Sequence, residues 1–391
     1  MGGSRFAASP LALEHSVIDP VFQTASKKLA IAHVHTGLVG SGGDRVSELE
    51  AHYLVSRGHQ VTVVGLTAPD TAARLAAHGI AIVNEPAEIR SVEAILARTG
   101  GFDIVHCHCI LSAPFAASLA KSSGAVFVIH SHSMGESWWE STSIISRLLS
   151  RRQGLRREID HAFASADLIL CVSEAVLGHL RAIGLPTEQA IIMRNPIDEI
   201  FFRKDVATGR PYHVAILARP SRAKSPVTAL RILAEASRFH PGIRMIWIGP
   251  LGRWEPIMRS LISLLRLRGL KLAGNLAPAQ VCDILDVTRV LLSASNREGQ
   301  PLSVLEALSR QCSAMLSDIP AHRPFAQDAG VQLFTAGDTA RAGRALTQLI
   351  ESHLRQPRPQ LACHRMDAHG SKLLVLYEIL VRQRRSRLSL G

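Results

Sequence analysis

Aromatic residues are scarce in this chain, 5% of 391, and no stripe interleaves them with Lys or Arg. Proteins that grip single-stranded nucleic acid stack bases on such rings beside a cationic track, so nucleic acid is set aside as a partner. No apolar run reaches the ~18–20 residues that span a bilayer. The first 28 residues have no apolar core behind a basic start, so no signal peptide is predicted and residues 1–28 are expected to form a loosely ordered leader. The six cysteines (Cys107, Cys109, Cys171, Cys282, Cys312, Cys363) include no C-x-x-C pair and lie mostly in apolar runs. That excludes a disulfide scaffold and fits a reduced, cytoplasmic protein. No full G-x-G-x-x-G follows a strand-like run, which counts against an NAD-dependent dehydrogenase.

The composition is otherwise that of a folded protein with sizeable cores, 47% apolar and 19% charged. A chain of 391 residues exceeds the ~250–300 at which one core usually splits, so two domains are expected. Lys and Arg number 44 against 32 Asp and Glu, a formal charge of +12, which points to an anionic partner such as a nucleotide sugar or a phospholipid surface.

Short runs rich in Val, Ile and Leu alternate with longer amphipathic stretches, the pattern of parallel sheets covered by helices. The first series runs from Leu29–Ala32 through Val61–Val64, Asp103–Val105, Val126–Ile129 and Leu168–Leu170 to Ile191–Met193. The second starts with Val214–Leu217 and continues through Met245–Ile248, Leu270–Leu272 and Val290–Leu292. The polar stretch Asp198 to Arg210 reads as a linker. Two Rossmann-like domains facing a cleft are expected, over 29–205 and 206–365, with a helix and basic tail over 366–391. Ligands should sit beyond the carboxyl ends of the strands. The first helix is predicted after Gly42-Gly43, with Val46, Leu49, Tyr53 and Leu54 on its apolar face and Gly58 as its stop.

Glu298 and Glu306, with seven residues between them, are the most informative feature. A buried strand, a turn from Ser295 to Gln300, and a helix opening at Pro301 are predicted, proline suiting the first helical position. The Leu302 and Ser303 amides then lack intrahelical acceptors and suit a diphosphate. Glu306 falls roughly 7–8 Å along the helix axis, in reach of the ribose of the same nucleotide. A surface turn before an amphipathic helix is the plainer alternative. Arg219 ends the run from Val214, and Lys224 follows before Pro226; two cations on one strand-to-helix loop can flank a diphosphate, fork and point charge together.

Gly40-Ser41-Gly42-Gly43 is a small-residue loop that permits close approach of the backbone to a ligand. His106 with His108, and His130 with His132, stand at strand ends, each pair on one face. Zinc is not favoured, because the Cys107 and Cys109 thiols point away from the imidazoles; sugar contact, best from His132, and a plain hydrogen bond at a strand end both remain open. Arg147, Arg151, Arg152, Arg156 and Arg157 punctuate an amphipathic stretch that either lies on anionic lipid or is a solvated face. Trp138 and Trp139 precede it in a loop that could grip an acceptor, and His108 is a further acceptor-side candidate. Arg382 to Arg387 reads as a solvated end.

Together these residues resemble glycosyltransferase family 4, retaining enzymes of the GT-B fold, over roughly residues 29 to 380. The acidic motif is similar to Glu298-Gly299-Gln300-Pro301 through Glu306. Asp103-Ile104-Val105-His106-Cys107-His108, Ala166-Asp167 through Val172-Ser173-Glu174, Asn195-Pro196-Ile197-Asp198 and Ser317-Asp318-Ile319-Pro320 resemble other stretches of the family. The resemblance implies that Arg219 and Lys224 neutralise the leaving diphosphate, that Glu298 bonds the donor sugar, and that Glu306 bonds the ribose. It places the amides of Gly299, Gln300, Pro301's successor Leu302 and their neighbours on the phosphates, His132 beside the sugar, and Gly42-Gly43 facing the diphosphate. It also implies no metal and no protein nucleophile, with front-face attack on a UDP-sugar or GDP-mannose and a saccharide or lipid-linked acceptor. A non-catalytic nucleotide-sugar-binding partner of another transferase, and a GT-B-fold epimerase, are the alternatives. Ala218, Ser225, Gln311 and Ser313 stand where the family more often has Gly, Gly, Gly and Pro, and Gln300-Pro301 replaces Phe-Gly.

Overall fold

The computed structural model describes residues 27–38, 41–85, 91–133, 150–203, 209–352 and 361–389. Contacts divide the chain into two units, Met1–Arg194 with Met366–Gly391, and Asn195–Arg365.

The first unit is built on seven parallel strands: β1 (Ala30–Leu38), β2 (Gln60–Thr67), β3 (Ala81–Val83), β4 (Ile104–Cys107), β5 (Val126–Ser131), β6 (Leu168–Cys171) and β7 (Ala190–Ile192). Their order is β3-β2-β1-β4-β5-β6-β7. β4, β5 and β6 are buried along their whole length. Successive residues of a strand point to opposite faces, and each face has its own core: Val105, Ile129 and Ile169 on one side, Ile104, Val128 and Leu168 on the other. Coverage on both faces is why these strands read as unbroken apolar runs.

The helix Gly42–Ser56 follows β1. Ser41 Oγ accepts from the Asp44 N–H (3.3 Å) and Asp44 Oδ2 accepts from the Ser41 N–H (2.7 Å), a reciprocal cap that fixes its start. Its buried face holds Val46, Ala51, Tyr53 and Leu54, but also Ser47 and Glu50.

The last helix, Met366–Ser389, belongs to this first unit. Leu373, Leu376, Tyr377 and Val381 join the core that contains Ile31 and Leu54. Gly370 allows the approach, since a Cβ there would lie 2.4 Å from ring atoms of Tyr53. The basic tail is fastened rather than solvated at two points: Arg384 donates to Asp167 (3.1 Å) and Arg385 to Asp103 (2.9 Å). Those two carboxylates also accept backbone N–H groups of Phe127 and Ala30, so each ties strand ends to the tail.

The second unit has six parallel strands: β8 (Tyr212–Leu217), β9 (Met245–Ile248), β10 (Leu270–Gly274), β11 (Thr288–Ser293), β12 (Ser313–Ser317) and β13 (Val331–Phe334). The order β10-β9-β8-β11-β12-β13 repeats the winding of the first sheet. Chain direction across the sheet reverses between β8 and β11, and between β1 and β4. Such reversals leave a crevice at the strands' carboxyl ends.

The division falls after Arg194, earlier than the expected 205/206 boundary. Asn195 belongs to the second unit because its N–H donates to Gln300 Oε1 (2.6 Å) and its carbonyl accepts from His364 Nδ1 (2.6 Å). Ile197 and Phe201 enter that unit's core, so the predicted linker begins as packed structure; residues 204–208 lie outside the described residues. Beneath it, the fully buried Arg310 donates to Asp286 Oδ1 (2.6 Å) and to the carbonyls of Arg203 (2.6 Å) and Phe201 (3.3 Å).

Candidate functional site

β8 and β11 lie side by side, Val214 opposite Val290 and Ala215 opposite Leu291, so the loops leaving them open at the same end of the sheet. The first loop carries Arg219 and Lys224, the second Ser295 to Gln300. They are joined by the Asn296 N–H on the Ala223 carbonyl (2.7 Å) and by Lys224 Nζ on Glu298 Oε1 (2.5 Å). The Lys224 side chain is 29% exposed and that of Glu298 10%. Both line a small pocket with Ser295 and Ser303. Arg219 stands exposed on the same loop as Lys224.

Three residues that the sequence did not single out support this pair. Ser295 Oγ donates to Glu298 Oε1 (2.6 Å), Ser317 Oγ donates to the Ser295 carbonyl (2.5 Å), and His322 Nδ1 donates to the Ser317 carbonyl (2.8 Å). The last bond puts the His322 proton on Nδ1 and leaves Nε2 as a buried acceptor. Burial lowers the basicity of His322 below the usual range. His322 lies two residues beyond the Ser317-Asp318-Ile319-Pro320 stretch quoted above, which was the available signal.

The helix after the second loop runs Leu302–Ser309, one residue later than predicted. Pro301 is its N-cap, at φ −75° and ψ 105°, and its carbonyl accepts from the Val304 (3.1 Å) and Leu305 (3.3 Å) N–H groups. The proline ring fixes φ alone, and ψ here is extended, so Pro301 precedes the helix rather than opening it. The Leu302 and Ser303 amides fall in the first turn, which has no acceptors of its own, and Glu306 lies part-buried farther along. The Gln300 side chain is held by Asn195, whose Nδ2 also donates to the Gln300 carbonyl (3.4 Å). The Asn195-Pro196-Ile197-Asp198 segment therefore clamps the loop of the acidic motif.

Two of the glycine departures keep a glycine-like backbone. Ser225 has φ +43° and Gln311 φ +61°, the left-handed region that disfavours a Cβ by roughly 1–2 kcal/mol. Ala218 is not among the positive-φ residues; its carbonyl accepts from Trp247 Nε1 (2.8 Å).

In the first unit, strand alternation separates thiol from imidazole as predicted: Cys107 Sγ contacts Ser112 and the Cys109 carbonyl. His108 Nδ1 and His132 Nε2 are 3.1 Å apart. Gly43 lies against His132, and a Cβ there would stand 3.1 Å from His132 Cβ and Cγ. The two expected histidine pairs converge with a third, His33 and His35 on β1, and with Glu50. The repeated H-x-H spacing on three strands was visible in the sequence; the carboxylate was not. Ser47 Oγ bonds His33 Nδ1 (3.0 Å) and His35 Nε2 (2.8 Å), Tyr377 Oη bonds His106 Nδ1 (2.6 Å), and Glu50 Oε1 accepts from His369 Nε2 (2.7 Å). Burial pushes His33 down to about 4 and His35 to about 3, and holds His106 and His108 well below the usual histidine range. Burial pushes Glu50 up, but the facing His130, His369 and His106 pull it further down, well below the usual carboxylate range.

Trp138, Trp139 and Arg147 lie outside the described residues, as do the side chains of Arg151 and Arg152. Arg157 is exposed, while Arg156 is committed within the unit to Asp160 (2.8 Å) and the Ile183 carbonyl (2.7 Å). No helix among the described residues is long and apolar enough to cross a membrane.

Residues 40–200 match the family model of Glycosyltransferase Family 4. Over 165 residues the chain is 28% identical to WcaL, assigned as a glycosyltransferase of colanic acid biosynthesis in Salmonella typhimurium, and that alignment takes in 39% of each chain. Among solved structures, Anabaena HepE in complex with UDP-glucose matches with TM-score 0.68 and 14% identity, over 93% of this chain and all (100%) of that one. WaaG, a glycosyltransferase involved in lipopolysaccharide biosynthesis, matches with TM-score 0.65 and 12% identity, over 90% and 98%. With two parallel Rossmann-like sheets and these matches, the chain has the GT-B fold, and its residues 40–200 are similar to Glycosyltransferase Family 4.

Proposed function

We propose that the protein is a retaining glycosyltransferase that moves a sugar from a nucleoside-diphosphate sugar, a UDP-sugar in preference to GDP-mannose, to a saccharide or lipid-linked saccharide, with no divalent cation in the transfer. The observation that carries this reading is the Lys224–Glu298 pair at the β8/β11 reversal, with Arg219 on the same loop and a helix start beside it.

In the free protein Lys224 and Glu298 hold each other. An incoming diphosphate competes for the ammonium, and Glu298 is released to accept from hydroxyls of the donor sugar. Arg219 and Lys224 supply fixed positive charge as the glycosidic bond breaks, and the Leu302 and Ser303 amides receive phosphate oxygens, which is electrostatic stabilisation without a metal. Glu306 accepts from the ribose hydroxyls. The acceptor oxygen attacks the face from which the diphosphate leaves, and a phosphate oxygen takes its proton, so the anomeric configuration is kept. His132 beside the sugar and Gly42-Gly43 facing the diphosphate are assigned by the family resemblance. UDP is favoured by the HepE complex with UDP-glucose, and polysaccharide assembly by the roles of WcaL in colanic acid biosynthesis and of WaaG in lipopolysaccharide biosynthesis.

The test incubates the full chain, in chelator-treated buffer, with a panel of UDP- and GDP-sugars and follows release of the nucleotide. Slow hydrolysis of one donor, unchanged by added magnesium or manganese, is expected, and NMR of a transferred product should show the donor's anomeric configuration. Strict dependence on the added ion, or an inverted product, overturns the respective part. Tight donor binding without any turnover would instead favour a non-catalytic nucleotide-sugar-binding partner, the alternative that the substituted glycine positions Ser225 and Gln311 suggest.

A further inference from the structure

The histidine cluster of the first unit lies at the β1/β4 reversal and is not needed for the donor chemistry above. His33, His106 and Glu50 are fully buried and His108 is 6% exposed, so a saccharide has no access to their inner atoms. His33 Nε2, His106 Nε2, His108 Nε2 and Glu50 Oε2 are all buried without a hydrogen-bond partner. One ligating atom from each of these four residues lies within 4.8 Å of the other three, with His108 Nε2 and Glu50 Oε2 3.7 Å apart. A tetrahedron with metal–ligand bonds of roughly 2.0–2.1 Å has edges of roughly 3.3 Å, so small rotations of these side chains close the site.

Further polar atoms of the same residues are held by neighbours. Ser47 Oγ is on His33 Nδ1, Tyr377 Oη on His106 Nδ1, His132 Nε2 on His108 Nδ1, and His369 Nε2 on Glu50 Oε1. Outer bonds of this kind fix the tautomer and aim of metal-ligating imidazoles.

We propose that His33, His106, His108 and Glu50 bind a divalent first-row transition ion of the zinc type, through one ring nitrogen of each histidine and Glu50 Oε2. Imidazole and carboxylate together suit such an ion better than magnesium or calcium, which take oxygen ligands. All four positions are filled by protein, so the ion has no open position for substrate and is structural. It would brace the last helix through Tyr377 and His369, and orient His132 through His108. A donor site that turns over without added magnesium or manganese is compatible with it.

The test measures metal in untagged full-length protein by elemental analysis, before and after chelation, and titrates the apoprotein with cobalt(II) while recording visible absorption. Zinc stoichiometric with the chain, a tetrahedral cobalt(II) spectrum, and a Tm that falls on chelation and recovers with zinc are expected. Glu50→Gln and His33→Gln should lose the ion, while His161→Gln, an exposed position, should keep it. If a cluster variant does not fold, cobalt(II) titration of the folded wild-type apoprotein decides. Folded wild-type protein that takes up neither zinc nor cobalt(II), or zinc retained equally by folded Glu50→Gln and His33→Gln, overturns the proposal.

Discussion

Lys224→Ala separates binding charge from folding charge at the β8/β11 reversal. The ammonium lies 2.5 Å from Glu298 Oε1, and the Glu298 side chain is only 10% exposed. Its loss leaves that carboxylate with the Ser295 hydroxyl as donor (2.6 Å). A hydrogen bond to a charged group contributes about 1.5–3 kcal/mol, and the partial exposure of Lys224 lowers that, so a stability loss of about 1–2 kcal/mol is expected. The loss in turnover should be larger. An ammonium preorganised for charge that develops on the departing diphosphate is of the oxyanion-donor kind, for which removal costs ~10²–10³ in kcat, about 2.7–4 kcal/mol. The measurements are thermal unfolding, nucleotide release at saturating donor, and calorimetric binding of the free nucleoside diphosphate. A variant that is folded at the assay temperature but slowed by that factor, with weakened diphosphate binding, supports the assignment. Turnover within about threefold of wild type would refute it, and a loss of rate that tracks the unfolded fraction would make the pair structural.

Ser225→Gly should raise Tm or leave it unchanged, because glycine relieves a φ of +43° worth roughly 1–2 kcal/mol while adding unfolded-state freedom of about 0.5–1 kcal/mol; a clear fall in Tm would show that the serine side chain holds the loop. Asp286→Ala strips the fully buried Arg310 of its 2.6 Å partner and should cost about 3–5 kcal/mol in urea unfolding; a loss below about 1 kcal/mol would mean that the Arg203 and Phe201 carbonyls suffice. Acid should destabilise the first unit. His33 and His35 bind protons less readily folded (about 4 and about 3) than unfolded (6.5), so stability is complete above pH 6.5 and falls as the pH drops toward 4, with a slope of about 1.4 kcal/mol per pH unit for each group. Glu50, held below its ordinary value, adds a loss in the same direction as the pH falls through 4.5. A flat Tm between pH 6.5 and 4.5 would contradict this.

The strands were legible because a parallel strand covered on both faces is an apolar run, and Val105 and Ile104 show both coverings. The loops after β8 and β11 were legible because charge at a strand end is conspicuous. Pro301 was misplaced by one position because its ring permits both a cap and a first helical residue, and ψ alone separates them. The Asp198 to Arg210 stretch looked like a linker on polarity, yet Phe201 is 2% exposed; one buried aromatic anchors a segment whose composition says otherwise. Glu50 was hidden by its helix, where the pattern of Val46, Leu49, Tyr53 and Leu54 defines an apolar face and a carboxylate on it looks like a neighbour of that face. Its partner His369 is 319 residues away in the chain, a separation that no local pattern bridges.

The two sheets share one winding order, yet opposite chemistry fills their points of reversal. At β8/β11 the cations are part-exposed and one holds the carboxylate it faces, a pairing that a diphosphate can exchange at little cost because water still reaches it. At β1/β4 the carboxylate is sealed, and its neighbours are imidazoles that burial keeps neutral. His369 Nε2 already donates to that carboxylate (2.7 Å) while its Nδ1 donates to the Arg194 carbonyl (2.9 Å), so the compensation in the first unit is built into the fold, whereas in the second it is exchangeable with a ligand.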